Sequence, residues 1–376
     1  MRWWQLSLPS LVLALLLHFL VFYPPTIEGV SQSLPQTHLP PSTDPVIRPD
    51  GSLAFSGYSI KPVGEFNDAS LLKTWFYKRW DFYAVFHPEL IVAFAMADLG
   101  YVANVYIMVQ EKGGQAVTYE KLVFPFSEGI TLSQNSTTGN ALYDQGDWHF
   151  SFANASPLQK QINVKHGDVL TAELQYTLPE QQEGLISYTP MSPSGNLFFF
   201  SRKQYGFKVN GSLNYKGKSY KLENTAGMMD WGRGVWPYHS YWVWASASTY
   251  LGDGRLFALN VGVHHAKHST ATDDFITLGE KVIKLGVVTC PEAVPETSQS
   301  HNWTMNTLNS QPTAQYAVLQ ATFTPESHYD KKVNYWAIHS ELKQVFGEFN
   351  GKVIYEGGEV TFSHVWGFLE RHVMRW

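Results

Sequence analysis

From Gly57 onward the chain alternates short apolar runs with Gly, Asn, Asp and Pro. Examples are FYAVF (82–86), LIVAFAMA (90–97), NVYIMVQ (104–110), WHFSFA (148–153), VLTAELQYTL (169–178), NLFFFS (196–201), FALNVGV (257–263) and EVTFSHVWGF (359–368). Runs of this length, rich in β-branched and aromatic residues, predict strands, and their spacing predicts meanders that close into barrels or sandwiches. Long amphipathic helices are hard to find. The segment NGSLNYKGKSYKLE (210–223) reads as a hairpin with Lys216-Gly217 at its tip. A domain boundary is expected there, giving an N-terminal barrel over 55–210 and a C-terminal barrel over 211–376.

The stretch GMMDWGRGVWPYHSYWVWASAS (227–248) concentrates the unusual chemistry. Asp230 and Arg233 sit among Trp231, Gly232, Gly234, Trp236, Pro237, Tyr238 and His239. Glycines flanking an arginine imply a positive φ or a close approach of another group, so a loop holding fixed charges is expected. In the strand that follows, Ser240, Trp242, Trp244, Ser246 and Ser248 share one face, and Tyr241, Val243, Ala245 and Ala247 the other. Such a segment reads equally as an aromatic cluster closed by an Asp230–Arg233 ion pair and as a ligand site.

The same stretch resembles the signature of an uncharacterised family known as domain of unknown function 2804, in which an Asp-Trp motif, a glycine and a Trp-x-Trp strand follow one another. GYSIKPVGEFN (57–67), KRWDFYAVFHPEL (78–90) and ADLGYVANVYI (97–107) resemble its opening strands. DGRLFALNVGV (253–263), DDFITLGEKVIKL (273–285) and GFLERHVMRW (367–376) resemble its later landmarks. Asp273 and Asp274 stand where the family pattern has Glu-Asn. The resemblance implies a calycin-like plan of two consecutive lipocalin-type β-barrels, similar to a group that includes carotenoid hydratases, tocopherol cyclases and cycloaddition-promoting proteins. It implies an apolar ligand such as a lipid or isoprenoid and no cofactor.

Composition narrows the alternatives. With 376 residues, 15% aromatic and only 16% charged, the chain can bury a large all-β core. A formal charge of −5 with scattered Lys and Arg excludes a basic field for nucleic acid. The single cysteine, Cys290, excludes an intrachain disulfide framework. Residues 1–31 carry Arg2 and the leucine-rich run Leu6–Tyr23, and are expected to be a signal peptide or a membrane anchor placing the bulk of the chain across the membrane. Residues 32–54 read as a Pro-rich linker holding the folded part off the bilayer.

The motifs of serine hydrolases, P-loop enzymes, dinucleotide-binding folds and zinc helices are absent. Of HHAKH (264–268), neighbouring strand histidines point to opposite faces, so no metal site is expected. On the closing strand Trp366, Phe368, Glu370 and His372 share one face, where a carboxylate needs a partner. Glu370 reads either as an acid with a raised pKa or as half of a lock with Arg233 or Arg375. Lys203 and Asn260 are polar groups in apolar strands, either satisfied core residues or ligand-facing ones. For an enzyme, Asp230 or Glu370 would transfer the proton, Arg233 would tune it, and Trp242 and Trp244 would face a polyene or cation. Trp231, Trp236, Tyr238, His239, Lys203, Asn260 and His372 would complete the lining. The expected function is binding of an apolar ligand, with cofactor-free hydration, isomerisation or cyclisation, or else non-catalytic lipid or glycan binding, or a purely structural role.

Overall fold

A computed structural model describes residues 36–72, 74–264, 271–290, 302–334 and 338–375. These contain strands and no helix. The first sheet takes β1 (Gly57–Ser59), β2 (Tyr77–His87), β3 (Leu90–Asp98), β4 (Ala103–Glu111), β5 (Val117–Val123), β6 (Ile130–Thr131), β7 (Gly139–Gln145), β8 (Trp148–Ser156), β9 (Gln159–His166), β10 (Leu170–Thr177), β11 (Leu185–Pro190), β12 (Phe198–Tyr215) and β13 (Lys218–Val235). The second takes β14 (His239–Tyr250), β15 (Leu256–His264), β16 (Phe275–Leu278), β17 (Lys281–Lys284), β18 (Val288–Thr289), β19 (Trp303–Thr307), β20 (Val318–Asn334), β21 (His339–Tyr355) and β22 (Gly358–Arg375). Neighbouring strands pair antiparallel. The order is β5-β4-β3-β2-β13-β12-β10-β9-β8-β7-β6 in one sheet and β17-β16-β15-β14-β22-β21-β20-β19-β18 in the other, with β11 joining β1 to β12.

Alternation in sequence becomes alternation in burial. Along β10, Leu170, Ala172, Leu174 and Tyr176 are buried while Thr171, Glu173 and Gln175 are exposed. Each sheet curls until distant strands meet. In the first, Tyr119 of β5 reaches Tyr215 of β12, hydroxyl to hydroxyl at 3.2 Å, and its ring lies 5.4 Å from that of His166 on β9. In the second, Leu285 bridges Ala317, and the Val288 N–H donates to Asp274. Each barrel holds its own apolar cluster. A third cluster, including Phe82, Phe86, Met228, Trp244, Phe346 and Phe368, forms a seam where the barrels pack against each other.

The hairpin at Lys216-Gly217 forms as expected, with both residues at positive φ (49° and 81°). It does not divide the barrels. Residue 210 lies inside β12, and β13, which carries the DWGRG motif, pairs with β12 along its length and with β2 from Ala226 to Val235. The chain leaves the first sheet at Val235 and enters the second at His239, so the boundary falls at 236–238 rather than 210–211. A hairpin tip marks a reversal within a sheet, and only the following strand crosses between sheets.

The expected tether also differs where it is described. Val46, Ile47 and Leu53 are buried, and Gln36 bonds the Tyr316 hydroxyl and the Leu285 carbonyl of the second barrel. Residues 36–54 are therefore strapped onto both barrels. The apolar segment 1–31 lies outside the described residues. Among the described residues no helix is long and apolar enough to cross a membrane.

Gly232 and Gly234 belong to β13 rather than to a loop, and serve close approach. A Cβ on Gly232 would lie 2.1 Å from Trp80, and one on Gly234 2.4 Å from the Phe198 carbonyl. Gly232→Ala is expected to destabilise the protein by about 1–3 kcal/mol through overpacking. Gly252→Ala, which meets nothing within 4 Å, is expected to leave the unfolding midpoint unchanged. Denaturant titration of the two variants checks this.

Candidate functional site

Period-two alternation sorts the signature residues. On β13, Trp231, Arg233 and Val235 face the interior of the first barrel, while Met228 and Asp230 face the seam. On β12, Phe200 faces inward, whereas Ser201, Lys203 and Tyr205 face the seam. Asp230 and Arg233, three residues apart, therefore lie on opposite faces, and the expected pair does not form.

Arg233 is fully buried and finds a different carboxylate. Its Nη2 donates to Asp81 Oδ1 at 2.8 Å and to the Ser133 carbonyl at 2.5 Å. Its Nη1 donates to the carbonyls of Trp80 at 2.7 Å and Gly232 at 2.9 Å. The guanidinium stands 3.8 Å from the Trp231 ring centroid, and Ser133 Oγ donates to the other Asp81 oxygen. This is a structural lock inside the first barrel.

Asp230 pairs with Lys203, its cross-strand neighbour, at 2.5 Å, both being buried. The Lys203 ammonium also lies 4.3 Å from the Trp244 ring centroid, a cation–π contact. Trp244 Nε1 donates to Asn260 Oδ1 at 2.9 Å, which also accepts from the Tyr205 hydroxyl at 3.0 Å. Tyr205 further meets Ser246 Oγ at 2.6 Å. Asn260 Nδ2 in turn donates to the Asp273 carbonyl at 2.7 Å, and the Asp273 carboxylate accepts from Ser187 and Ser201. The polar groups thus form a continuous chain across the seam.

Glu370 stands beside this chain. Trp242 Nε1 and Gln344 Nε2 donate to its two oxygens, each at 2.7 Å. Among the described residues no Lys or Arg forms an ion pair with it. The lock with Arg233 or Arg375 is not present, since Arg233 is held in the first barrel and Arg375 donates to Asn334. Burial raises the Glu370 pKa, opposed by the Trp242 and Gln344 hydrogen bonds and by the charge of Lys203, while the charge of Asp230 adds to the rise. Asp230 is also raised by burial, opposed by Lys203. The Tyr106 hydroxyl is pushed well up, first by burial and then by the charges of Glu370 and Asp230. His372 accepts or donates to Ser340 Oγ at 2.8 Å and packs its ring 4.5 Å from that of Trp242. Although the residue as a whole is only half-buried, burial and the nearby Lys331 push its pKa down to about 3.

Seven expected site residues therefore converge on the seam: Lys203, Asp230, Trp242, Trp244, Asn260, Glu370 and His372. Trp231 and Arg233 point away into the first barrel. Trp236 belongs to a small cluster with Met191, Phe199 and Met374, and Tyr238, in the crossover between sheets, and His239, the first residue of β14, are half-buried. The side chains of HHAKH lie outside the described residues, and no group of three His, Cys, Asp or Glu among the described residues is placed to hold a metal. Asp273 and Asp274 are engaged, the latter with the N–H groups of Gly262 and Val288. The sequence reading missed Tyr205, Gln344 and Asp81. Tyr205 lies two residues after Lys203, and Asp81 is a lone carboxylate in an aromatic strand, so both carried a signal. Gln344 carried none without its register opposite Glu370.

Trp242 and Tyr106 are only partly buried at the edge of the seam cluster, so the Glu370 end lies near solvent. A cavity of about 350 Å³ opens at a separate place, where Tyr58 and Val282 of the seam meet His38, Ile60, Lys284 and Gln315. The arrangement near Glu370 offers an uncharged-prone acid, an ion-paired carboxylate and an aromatic wall.

A family model described as "Domain of unknown function (DUF2804)" matches residues 39–376. No curated protein matches the chain. Among solved structures, that of CghA with Sch210972 is similar at TM-score 0.52 and 8% identity, covering 78% of this chain and 87% of that one. Kievitone hydratase from Nectria haematococca is similar at TM-score 0.48 and 11% identity, covering 78% and 88%. The CghA likeness shows the all-β two-barrel fold.

Two measurements check the site geometry. In double-mutant cycles, Asp81→Asn with Arg233→Gln is expected to couple by about 0.5–3 kcal/mol, whereas Asp230→Asn with Arg233→Gln is expected to add within about 0.5 kcal/mol. The second concerns pH. With His372 at about 3 when folded and near 6.5 when unfolded, the unfolded chain binds the extra proton between these values. Its contribution to stability is full above pH about 6.5 and is lost as pH falls toward 3. His372→Gln is expected to flatten that part of the stability profile.

Proposed function

The chain belongs to the family described as a domain of unknown function (DUF2804), and we propose that it binds a small apolar ligand at the barrel seam, with Glu370 as its acid. One observation carries this reading. Glu370 is a buried carboxyl held by two neutral donors and not paired with a cation, in a wall of Trp242, Tyr106 and Phe368. An ion pair alone would serve a purely structural seam, and Lys203 and Asp230 already supply one. That CghA was crystallised with Sch210972 agrees with a small-molecule ligand on this fold.

The chemistry follows from the groups present. A protonated Glu370 would deliver its proton to a carbon–carbon double bond, leaving a carboxylate and a carbocation beside the Trp242 ring. Return of a proton from a neighbouring carbon to the carboxylate gives isomerisation or, after ring closure, cyclisation. Capture of the cation by water, with loss of a proton to the carboxylate, gives hydration. Trp244 is less available than the sequence implies. Lys203, Phe82 and Phe368 already surround its ring. Non-catalytic binding remains the second reading, favoured by the donors that already occupy both Glu370 oxygens.

Retinol and geranylgeraniol serve as probes, read by quenching of tryptophan fluorescence and by mass spectrometry of products. Wild type is expected to bind at least one, Trp242→Ala to lose binding with little loss of stability, and Glu370→Gln to bind without conversion. Trp244→Ala is expected to cost about 3–5 kcal/mol as a core truncation. Binding without conversion by wild type supports the non-catalytic reading, and absence of any binding overturns the ligand site.

A further inference from the structure

The inner face of the first barrel ends in a polar cap with more positive than negative charge. Asp81, Arg233, Arg202 and Lys160 point into it, and the segment Leu132–Thr138 covers it through Ser133 and Ser136. The charge of Asp81 is committed to Arg233 at 2.8 Å. Lys160 and Arg202 meet neutral oxygens instead. Lys160 Nζ donates to Asn154 Oδ1 at 2.6 Å and to the Ser136 carbonyl at 3.1 Å. Arg202 Nη1 donates to Ser136 Oγ at 3.1 Å and its Nη2 to Gln204 Oε1 at 3.4 Å. Two cations converge on one serine, one from its carbonyl side and one from its hydroxyl.

Burying like charges side by side is unfavourable unless an anion joins them or one gives up its proton. The lysine responds in that direction. Lys160, 2% exposed, is pulled down to about 7 by burial and then by Arg202, against the pull of Asp81. Arg202 is lowered by burial as well, opposed by Tyr83 and Tyr188. Arg202 and Ser136 are half-buried and Lys160, which donates to the Ser136 carbonyl, is buried.

We propose that the Lys160, Arg202 and Ser136 cap of the first barrel is an oxyanion site, taking a carboxylate or phosphate group between the ammonium and the guanidinium. Arg202 supplies a planar fork of donors and Lys160 a point charge, which together match the two or three oxygens of such a group. The site is separate from Glu370, which faces the seam on the other barrel.

Calorimetry of the full chain with inorganic phosphate and with decanoate tests it, beside an NMR titration of lysine labelled at Cε. Either anion is expected to bind and to raise the Lys160 pKa by about one unit or more, because an adjacent opposite charge favours the ammonium. Binding of decanoate alone assigns the oxyanion to an amphiphile, and binding of both extends it to the free ion. Arg202→Gln and Lys160→Met are each expected to weaken binding at least about tenfold, the loss of one charge-assisted bond pair. Lys160→Met keeps the test open should Arg202→Gln fail to fold. Failure of both anions to bind at millimolar concentration, or equal binding by the folded variants, overturns the site.

Discussion

A charge stays in an apolar interior where its lost hydration is replaced by fixed polar groups, and Arg233 meets that requirement at both terminal nitrogens, with its Nε left without a hydrogen-bond partner. Its two terminal nitrogens find Asp81 and three carbonyls, and its face finds Trp231. These contacts tie β13 to β2 and to the segment that covers the barrel end. Because β13 is also the strand that leads into the second sheet, the lock fixes where the second barrel begins. One face of β13 thus stabilises the first barrel, and its other face presents Asp230 to the seam.

The seam repeats the same logic with a different outcome. Lys203 and Asp230 neutralise each other across one register pair, and the tyrosine, serine, asparagine and aspartate beyond them form a chain of hydrogen bonds. Glu370, like Asp273, is held by neutral donors, those of Trp242 and Gln344. Burial favours its protonated form, as it does for Asp230, but among the described residues Glu370 has no direct ion pair such as Lys203 gives Asp230.

Much of this was legible in the sequence, for a physical reason. Side-chain period decides faces, so the placement of Trp242 with Trp244, and of Glu370 with His372, followed from spacing alone. Lys203 and Asn260 were visible as polar residues inside apolar runs. The partners were not visible, because Lys203 meets Asp230 and Gln344 meets Glu370 through register between strands distant in sequence. The expected Asp230–Arg233 pair failed because the glycines around Arg233 suggested a turn. They instead make room for Trp80 and the Phe198 carbonyl against an extended strand. The strap at 36–54 was misread for a related reason: its prolines and polar residues mask Val46, Ile47 and Leu53, whose burial depends on the barrels they touch.

The crossover between the barrels is only three residues long, and the strap carries a second connection through Gln36 to Tyr316 and Leu285. Two such links make the relative placement of the barrels a property of the native state as a whole, not of a hinge. A molecule bound in the seam as proposed would touch both barrels at once. By mass action, its binding free energy is added to the docking of the barrels as well as to their folding. For a ligand bound there as proposed, affinity and cohesion of the two halves would be thermodynamically linked, so variation that loosens the docking would also weaken binding.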